Sequence, residues 1–270
     1  MKDRIQAKFE EVRASGRTAA FIAYVCAGDP DFETSFQVCR ALIEAGVDIL
    51  ELGAPFSDPV ADGLTNQLAA QRALEAGMTQ EKVMALIKRV RALSETPIIL
   101  YTYYNLIFTQ GLETYTARAK AAGIDGLLTL DLPPEEAEPL RKASSAQNLA
   151  NIFIVAPTTP PERIPLITKP ASGFIYYVSR EGVTGERATM ADNLGRAIKG
   201  IKAHTSLPVV IGFGISQPDH VRQAAAAADG VVVGSALVNC IARETQNPQK
   251  AIETIAAKAR TLMQGLTPQG

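Results

Sequence analysis

Two acidic side chains lie on either side of a proline-containing loop that follows a short apolar run. Glu51 lies within the run Leu50–Gly53, and Asp62 follows Pro55 and Pro59. A carboxylate at the end of a buried strand, with a second carboxylate held nearby, can transfer protons to and from a substrate. The alternative is that Glu51 forms a buried ion pair with an arginine or lysine. Strand-end acids are good catalytic candidates, so we interpret Glu51 as an acid/base residue.

Other catalytic chemistries have little support in the sequence. The eight predicted strands contain no lysine that could form a Schiff base. The two histidines, His204 and His220, lie in helical or turn contexts, which gives little support for a histidine-ligated metal or a Ser-His-Asp triad. Cys26, Cys39 and Cys240 are far apart in the sequence, and we interpret them as reduced structural thiols.

The elements that position these side chains are predicted to form a barrel. Short apolar runs alternate with segments of helical periodicity, and the 270 residues suit one domain, 1–270. Ile5, Phe9 and Val12 have helical spacing and predict an extra helix before the first strand. We therefore predict an α/β fold, a (β/α)8 TIM barrel with an extra N-terminal helix; an open doubly wound sheet is the competing architecture. The predicted strands are 21–27, 49–53, 97–104, 126–131, 152–157, 174–179, 208–213 and 230–234.

A weak internal repeat marks the start of three of these strands. Asp48, Asp125 and Asp229 each lie within two residues of a glycine, between a helix and a strand, and we predict that they form turns. The position three residues further on is Glu51 in the first copy but Leu128 and Val232 in the others. The scaffold itself therefore does not require an acid at Glu51.

Glycines after the last strands indicate a phosphate site. Gly212, Phe213 and Gly214 follow the seventh predicted strand, and Gly234 and Ser235 follow the eighth and begin a helix. Backbone N–H groups at such loops and helix N-termini bind anions, and barrels often build a phosphate site there. Tight turns alone would also explain the glycines. The loop 179–187 has two glycines and either closes over a ligand or is simply solvated.

Composition argues against two classes of partner. The net charge is −1 and charged residues make up 20% of the chain, so no basic surface for nucleic acid or membranes is expected. No apolar stretch approaches the length of a membrane-spanning helix, and the N-terminus lacks a signal-peptide pattern. We expect a cytoplasmic protein.

Several motifs, in order along nearly the whole chain, closely resemble those of the tryptophan synthase alpha subunit family. The most specific is LELGAPFSDPVADG, and its combination with SREGVTG and GFGI at these separations is very unlikely to arise by chance. The matching segments are 21–30, 50–63, 103–105, 130–133, 179–185, 212–214 and 234–235.

The resemblance implies a role for each candidate site residue. Glu51 would be the acid/base residue, Asp62 would hold the indole nitrogen, and Tyr176 would support Glu51. Tyr24 and Tyr101 would line the indole pocket, and we include Leu128 and Val232 among the substrate-binding residues. Thr184 would help a lid to close. The implied phosphate-binding residues are Gly185, Gly212, Phe213, Gly214, Gly234 and Ser235.

The resemblance also implies a reaction and a partner. The family cleaves indole-3-glycerol phosphate to indole and glyceraldehyde 3-phosphate by retro-aldol chemistry, as a lyase of tryptophan biosynthesis. It needs no metal and no cofactor in this chain, since pyridoxal phosphate belongs to the beta subunit of an alpha2-beta2 heterotetramer. The residues expected at the interface with the beta subunit are Asp58, Pro59, Asn105 and Asp131.

Four positions depart from the commoner family pattern. Tyr24, Tyr101, Leu64 and Asn66 stand where the family usually has Phe, Leu, Pro and Ile. Two added hydroxyls in the pocket need partners if they are buried. The alternatives left open are an indole-releasing lyase that works without a partner, a regulatory subunit without useful catalysis, and another phosphosugar isomerase or lyase on the same barrel.

Overall fold

The computed structural model describes residues 3–179, 187–212 and 214–266, and for residues 187–193 it describes the backbone alone. Within this part of the chain eight parallel strands pair in sequence order, and β1 pairs with β8 to close the barrel. The prediction of a closed barrel is confirmed, and the open-sheet alternative is wrong. The strands are β1 Ala20–Cys26, β2 Ile49–Gly53, β3 Ile98–Thr102, β4 Gly126–Thr129, β5 Ala150–Val155, β6 Ile175–Val178, β7 Val209–Gly212 and β8 Gly230–Val233.

Helices cover the outside of the barrel and connect its strands. Of the helices in the described residues, none is long and apolar enough to cross a membrane. Their bounds are α1 Arg4–Ala14, α2 Phe32–Ala45, α3 Leu64–Glu75, α4 Gln80–Arg91, α5 Tyr104–Phe108, α6 Leu112–Ala122, α7 Glu138–Ala146, α8 Ile164–Thr168, α9 Arg187–Lys202, α10 Pro218–Ala225, α11 Ser235–Ala242 and α12 Pro248–Met263.

The third strand ends earlier than the sequence predicts. The predicted run 97–104 includes Tyr103 and Tyr104, but β3 ends at Thr102 and α5 begins at Tyr104. The Asp131 carboxylate accepts the Tyr104 backbone N–H at 2.7 Å and so caps the first turn of α5. This contact joins residues 27 positions apart just beyond the end of β3, and local periodicity does not reveal it.

The extra N-terminal helix closes the lower end of the barrel. Ile5, Phe9 and Val12 are buried on one face of α1 and pack against apolar side chains inside the barrel. The Phe9 ring meets the Phe174 ring edge to face, with centroids 6.0 Å apart. The other interior residues of this cluster include Ile22, Ile49, Ile99, Leu128, Ile152, Val210 and Val232. Among the described residues, this packing fills the lower half of the barrel interior.

The repeated aspartates also belong to the lower end. Each accepts the N–H of the neighbouring strand: Asp48 from Phe21 at 2.7 Å, Asp125 from Ile98 at 2.9 Å and Asp229 from Val209 at 2.8 Å. Each also forms an ion pair with an arginine or lysine. These aspartates therefore tie adjacent strands together and lie away from the upper end, as expected for structural residues.

Removal of the Phe9 ring should destabilise the fold. We expect Phe9→Ala to lower the free energy of unfolding by about 3–5 kcal/mol, because the substitution opens a cavity between α1 and the barrel. Phe108→Ala is the matched control, since the Phe108 side chain is 63% exposed; its change should stay within about 0.5 kcal/mol. Urea unfolding monitored by circular dichroism measures both, and equal losses of stability would contradict the packing of α1 against the barrel interior.

Candidate active site

A cavity of about 410 Å³ opens at the C-terminal ends of the strands. Its floor and walls are mostly apolar or aromatic, and two carboxylates, Glu51 and Asp62, face into it. The predicted residues that line it are Tyr24, Glu51, Asp62, Tyr101, Leu128, Tyr176, Gly212, Gly214, Val232, Gly234 and Ser235. A concave apolar site with a few convergent polar groups is typical of a small-molecule pocket.

Glu51 is the most unusual group in this cavity. It lies in β2 beside Tyr24 of β1, and its side chain is buried. Neither of its carboxyl oxygens has a hydrogen-bond partner in the part of the chain that the structure describes. The ion pair considered from the sequence is therefore not formed there. Burial, together with the nearby negative charge of Asp62, raises the pKa of Glu51 to about 8.

Asp62 differs from Glu51 in that both of its carboxylate oxygens accept hydrogen bonds from tyrosine hydroxyls. The Tyr101 hydroxyl donates to Asp62 Oδ1 and the Tyr103 hydroxyl donates to Asp62 Oδ2, each at 2.7 Å. The Asn66 side-chain amide adds a longer contact of 3.4 Å to Oδ1. Residues 101 and 103 are two apart on an extended segment, so their side chains point to the same side.

The loop that carries Asp62 is fixed to the barrel at several points. The Tyr103 hydroxyl accepts the Ala61 N–H at 3.0 Å, and the Phe56 ring lies 5.1 Å from the Tyr103 ring. The Gln67 side chain donates to the Asp62 backbone carbonyl at 2.8 Å. Asp62 therefore reaches the cavity from a loop that is anchored to Tyr103, just after β3, and to Gln67 on α3.

Two glycines make room for the aromatic walls. A Cβ atom at Gly53 would lie 2.5 Å from the Tyr24 hydroxyl, and one at Gly212 would lie 2.2 Å from the Tyr176 hydroxyl. Both distances are shorter than any normal contact, so larger residues would displace the tyrosines. The Tyr24 ring also packs edge to face on Tyr101, with centroids 4.9 Å apart. Burial raises the pKa of both Tyr24 and Tyr176, which keeps them neutral near pH 7.

The far side of the cavity offers backbone groups suited to an anion. Gly212 ends β7, Gly214 has a positive φ of 71°, and Gly234 precedes the first turn of α11. Ser235 begins α11 and is exposed to solvent. Free N–H groups at a helix N-terminus favour a phosphate. Phe213, Thr184 and Gly185 lie outside the described residues.

The residues expected at a partner interface lie outside the cavity lining. Asp58, Asn105 and Asp131 are exposed, and Pro59 is half-buried. Asp131 is engaged in capping α5. Close to Asp58, three apolar side chains are exposed: Val60 at 84% in the turn before α3, and Leu64 at 70% and Leu68 at 44%, one turn apart on α3. A row of exposed apolar side chains is typical of an interaction surface.

Sequence reasoning missed three contributors to the site. Tyr103 enters the sequence comparison only as part of a motif, and Asn66 only as a residue of the partner-facing loop, yet both contact Asp62. Gly53 leaves the space that the Tyr24 side chain occupies. The alternation Tyr101-Thr102-Tyr103 was the available signal, because it places two hydroxyls on one side of an extended segment.

Among the described residues, no group of three or more His, Cys, Asp or Glu side chains is arranged to hold a metal ion.

Known proteins are similar to this chain in sequence over nearly its whole length. A family model described as "Tryptophan synthase alpha chain" matches residues 9–267. The tryptophan synthase alpha chain of Opitutus terrae is 58% identical over 262 residues, covering 97% of this chain and 98% of that protein. The corresponding protein of Methanothermobacter thermautotrophicus is 49% identical over 251 residues, covering 93% and 92%.

Solved structures agree with these relatives. The tryptophan synthase subunit alpha of Legionella pneumophila superposes with a TM-score of 0.90 at 34% identity, covering 98% of this chain and 99% of that one. A chain from a structure of the tryptophan synthase a2b2 complex of Pyrococcus furiosus superposes with a TM-score of 0.85 at 37% identity, covering 92% and 98%. The sequence match and the superposed barrels agree over nearly the whole chain, which therefore belongs to the tryptophan synthase alpha chain family.

Proposed function

We propose that this chain cleaves indole-3-glycerol phosphate to indole and glyceraldehyde 3-phosphate, with Glu51 and Asp62 as its catalytic pair. One observation carries the proposal: a buried carboxyl group without a hydrogen-bond partner in the described chain faces the same cavity as a carboxylate held by two tyrosines. The two acids have different environments, which is how a site separates a proton donor from a fixed negative charge.

The protonation of Glu51 suits the first step of cleavage. With a pKa of about 8, Glu51 is mostly protonated at neutral pH and can donate its proton to C3 of the indole ring. The ring then becomes a positively charged indolenine, which is the electron sink for the bond that breaks. The Asp62 carboxylate accepts the ring N–H and stabilises this charge.

The second step returns the proton to Glu51. The hydroxyl on the glycerol carbon next to the ring loses its proton to the Glu51 carboxylate, and its oxygen becomes the aldehyde oxygen. The carbon-carbon bond breaks and its electron pair restores the aromatic ring. The products are indole and glyceraldehyde 3-phosphate, and Glu51 regains the proton that it gave up.

The remaining lining residues support binding. Leu128 and Val232 lie on the floor beneath the ring site, and Tyr24 and Tyr101 form one wall. The glycines after β7 and β8, Ser235 and the N-terminus of α11 form the phosphate end. Thr184, Gly185 and Phe213 stay predictions for lid and phosphate contacts.

We further propose that the chain docks to a tryptophan synthase beta subunit in an alpha2-beta2 assembly. The similar chain of Pyrococcus furiosus comes from a structure described as an a2b2 complex. The exposed row Val60, Leu64 and Leu68, beside Asp58 and Pro59, supports a docking surface around the loop that carries Asp62. In this proposal pyridoxal phosphate belongs to the beta subunit, and this chain works without a cofactor of its own. A cytoplasmic location stays a prediction.

Indole release from indole-3-glycerol phosphate tests the function, with the purified chain assayed alone and with a beta subunit. Slow release that rises with the partner supports an activated alpha subunit, whereas fast release by the chain alone favours an independent lyase. No release in either condition, with docking confirmed, would overturn the proposed catalysis and favour the regulatory alternative.

The loss of the proton donor should abolish most cleavage. Glu51→Gln keeps the size of the side chain but cannot donate the proton, so kcat for indole release should fall roughly 10²–10⁴-fold. Binding of a non-cleavable indolepropyl phosphate should change little, because the phosphate end is untouched. A variant that turns over like the wild type would show that Glu51 is not the donor.

The same substitution should change how stability depends on pH. Glu51 ionises near 4.5 in the unfolded chain and near 8 in the folded chain, so folding favours the protonated form. Its contribution to the free energy of unfolding is fully present below pH 4.5. That contribution is lost as pH rises toward 8, by roughly 1.4 kcal/mol per pH unit. Urea unfolding between pH 5 and 8 should therefore show Glu51→Gln gaining stability relative to the wild type as pH rises. A constant difference would contradict the raised pKa.

A charge in the exposed apolar row should weaken docking. We expect Leu64→Glu to raise the Kd for the beta subunit at least tenfold, or roughly 1.4 kcal/mol, because a charge would be buried at the interface. Leu93→Glu is the matched control, since Leu93 is 50% exposed and lies just after α4, near the lower end of the barrel. Calorimetric titration measures both, and equal Kd values would place the docking surface elsewhere.

A further inference from the structure

The two tyrosines that hold Asp62 differ in what else they do. The Tyr103 hydroxyl accepts the Ala61 N–H as well as donating to Asp62 Oδ2, so it fixes the loop backbone. The Tyr101 hydroxyl donates to Asp62 Oδ1, and the Tyr101 side chain lines the cavity, which Tyr103 does not. Tyr101 therefore contacts the carboxylate from the side on which a ligand binds.

The barrel wall determines where the Tyr101 hydroxyl lies. Tyr101 is a residue of β3, paired with Gly53 on one side and Leu128 on the other. Its ring packs edge to face on Tyr24, with centroids 4.9 Å apart. Asp62 instead lies in a loop between β2 and α3. The hydrogen bond from Tyr101 therefore holds the Asp62 carboxylate, which lies in a loop, against a side chain that β3 and the Tyr24 ring of β1 keep in place.

A carboxylate held through one oxygen can rotate about its last bond, whereas one held through both oxygens has a fixed plane. Each carboxylate oxygen can accept two hydrogen bonds, so Oδ1 can accept a ring N–H beside Tyr101 if the ring N–H takes the place of the long 3.4 Å contact from Asn66. We infer that Tyr101 is a positioning residue: its hydroxyl orients the Asp62 carboxylate toward the indole N–H. This inference rests on the proposed function and adds a residue where the family usually has an apolar leucine.

The inference predicts a selective effect of removing one hydroxyl. Tyr101→Phe keeps the ring and its packing on Tyr24 but leaves Asp62 Oδ1 with only the 3.4 Å contact from Asn66. Because the contact of Asp62 with the ring is present in the bound substrate and strengthens as charge develops, kcat should fall about three- to tenfold and KM should rise by a similar factor at most. Circular dichroism and the thermal unfolding midpoint should match the wild type and show that the variant folds.

Binding of two ligands, one with a ring N–H and one without, tests the contact of Asp62 with the ring independently of catalysis. Indolepropyl phosphate carries a ring N–H, and its benzothiophene counterpart has sulfur in that place. The wild type should favour the N–H compound, and Tyr101→Phe should reduce this preference about three- to tenfold. Tyr115→Phe is the matched control, because Tyr115 is a fully buried tyrosine on α6, outside the cavity. The loss of its hydroxyl should leave the preference for the N–H compound unchanged.

The outcomes separate the inference from the proposed function. If the wild type releases indole but Tyr101→Phe keeps both its kcat and its preference for the N–H compound, the inference is wrong. A rise in KM alone would also overturn it, because that result assigns Tyr101 to packing. If the wild type releases no indole with or without a beta subunit, the proposed function fails instead.

Discussion

The burial of one carboxyl group at the top of the barrel is the constraint on which the rest of the site depends. Glu51 lies among apolar and aromatic side chains, and its two oxygens have no hydrogen-bond partner in the described chain. An ionised carboxylate in that place would be costly, so the pKa rises and the group keeps its proton at neutral pH. A fold that holds an unpaired acid there loses stability as pH rises, and it retains a proton donor in return.

The remainder of the upper barrel is arranged around this acid. Gly53 and Gly212 leave space for Tyr24 and Tyr176, which line the cavity. Asp62, which comes from a loop, is held by two hydroxyls at 2.7 Å. One acid is kept protonated by burial and the other is held in place by hydrogen bonds, which is the division of roles that an acid/base cleavage needs.

The sequence predicted the barrel because strand and helix signals alternate eight times and the glycine-aspartate repeat marks strand starts. It also placed Glu51 and Gly234 around one cavity, since the ends of parallel strands meet at one edge. Tyr101 was expected there only from the resemblance to the family. The sequence could not show that Tyr103 shares Asp62 with Tyr101, or that Asp131 caps α5 just beyond the end of β3. Both are contacts between distant segments, and such contacts depend on the closed fold rather than on local pattern.

The protonation state of Glu51 can be measured directly by infrared difference spectroscopy of the wild type against Glu51→Gln. A protonated carboxyl group in an apolar site gives a C=O stretch apart from the amide bands. The account predicts that this band is present at pH 6 and titrates away with a midpoint near 8. A band that disappears near the ordinary value of 4.5 would show that Glu51 is ionised at neutral pH and would contradict its assignment as the proton donor.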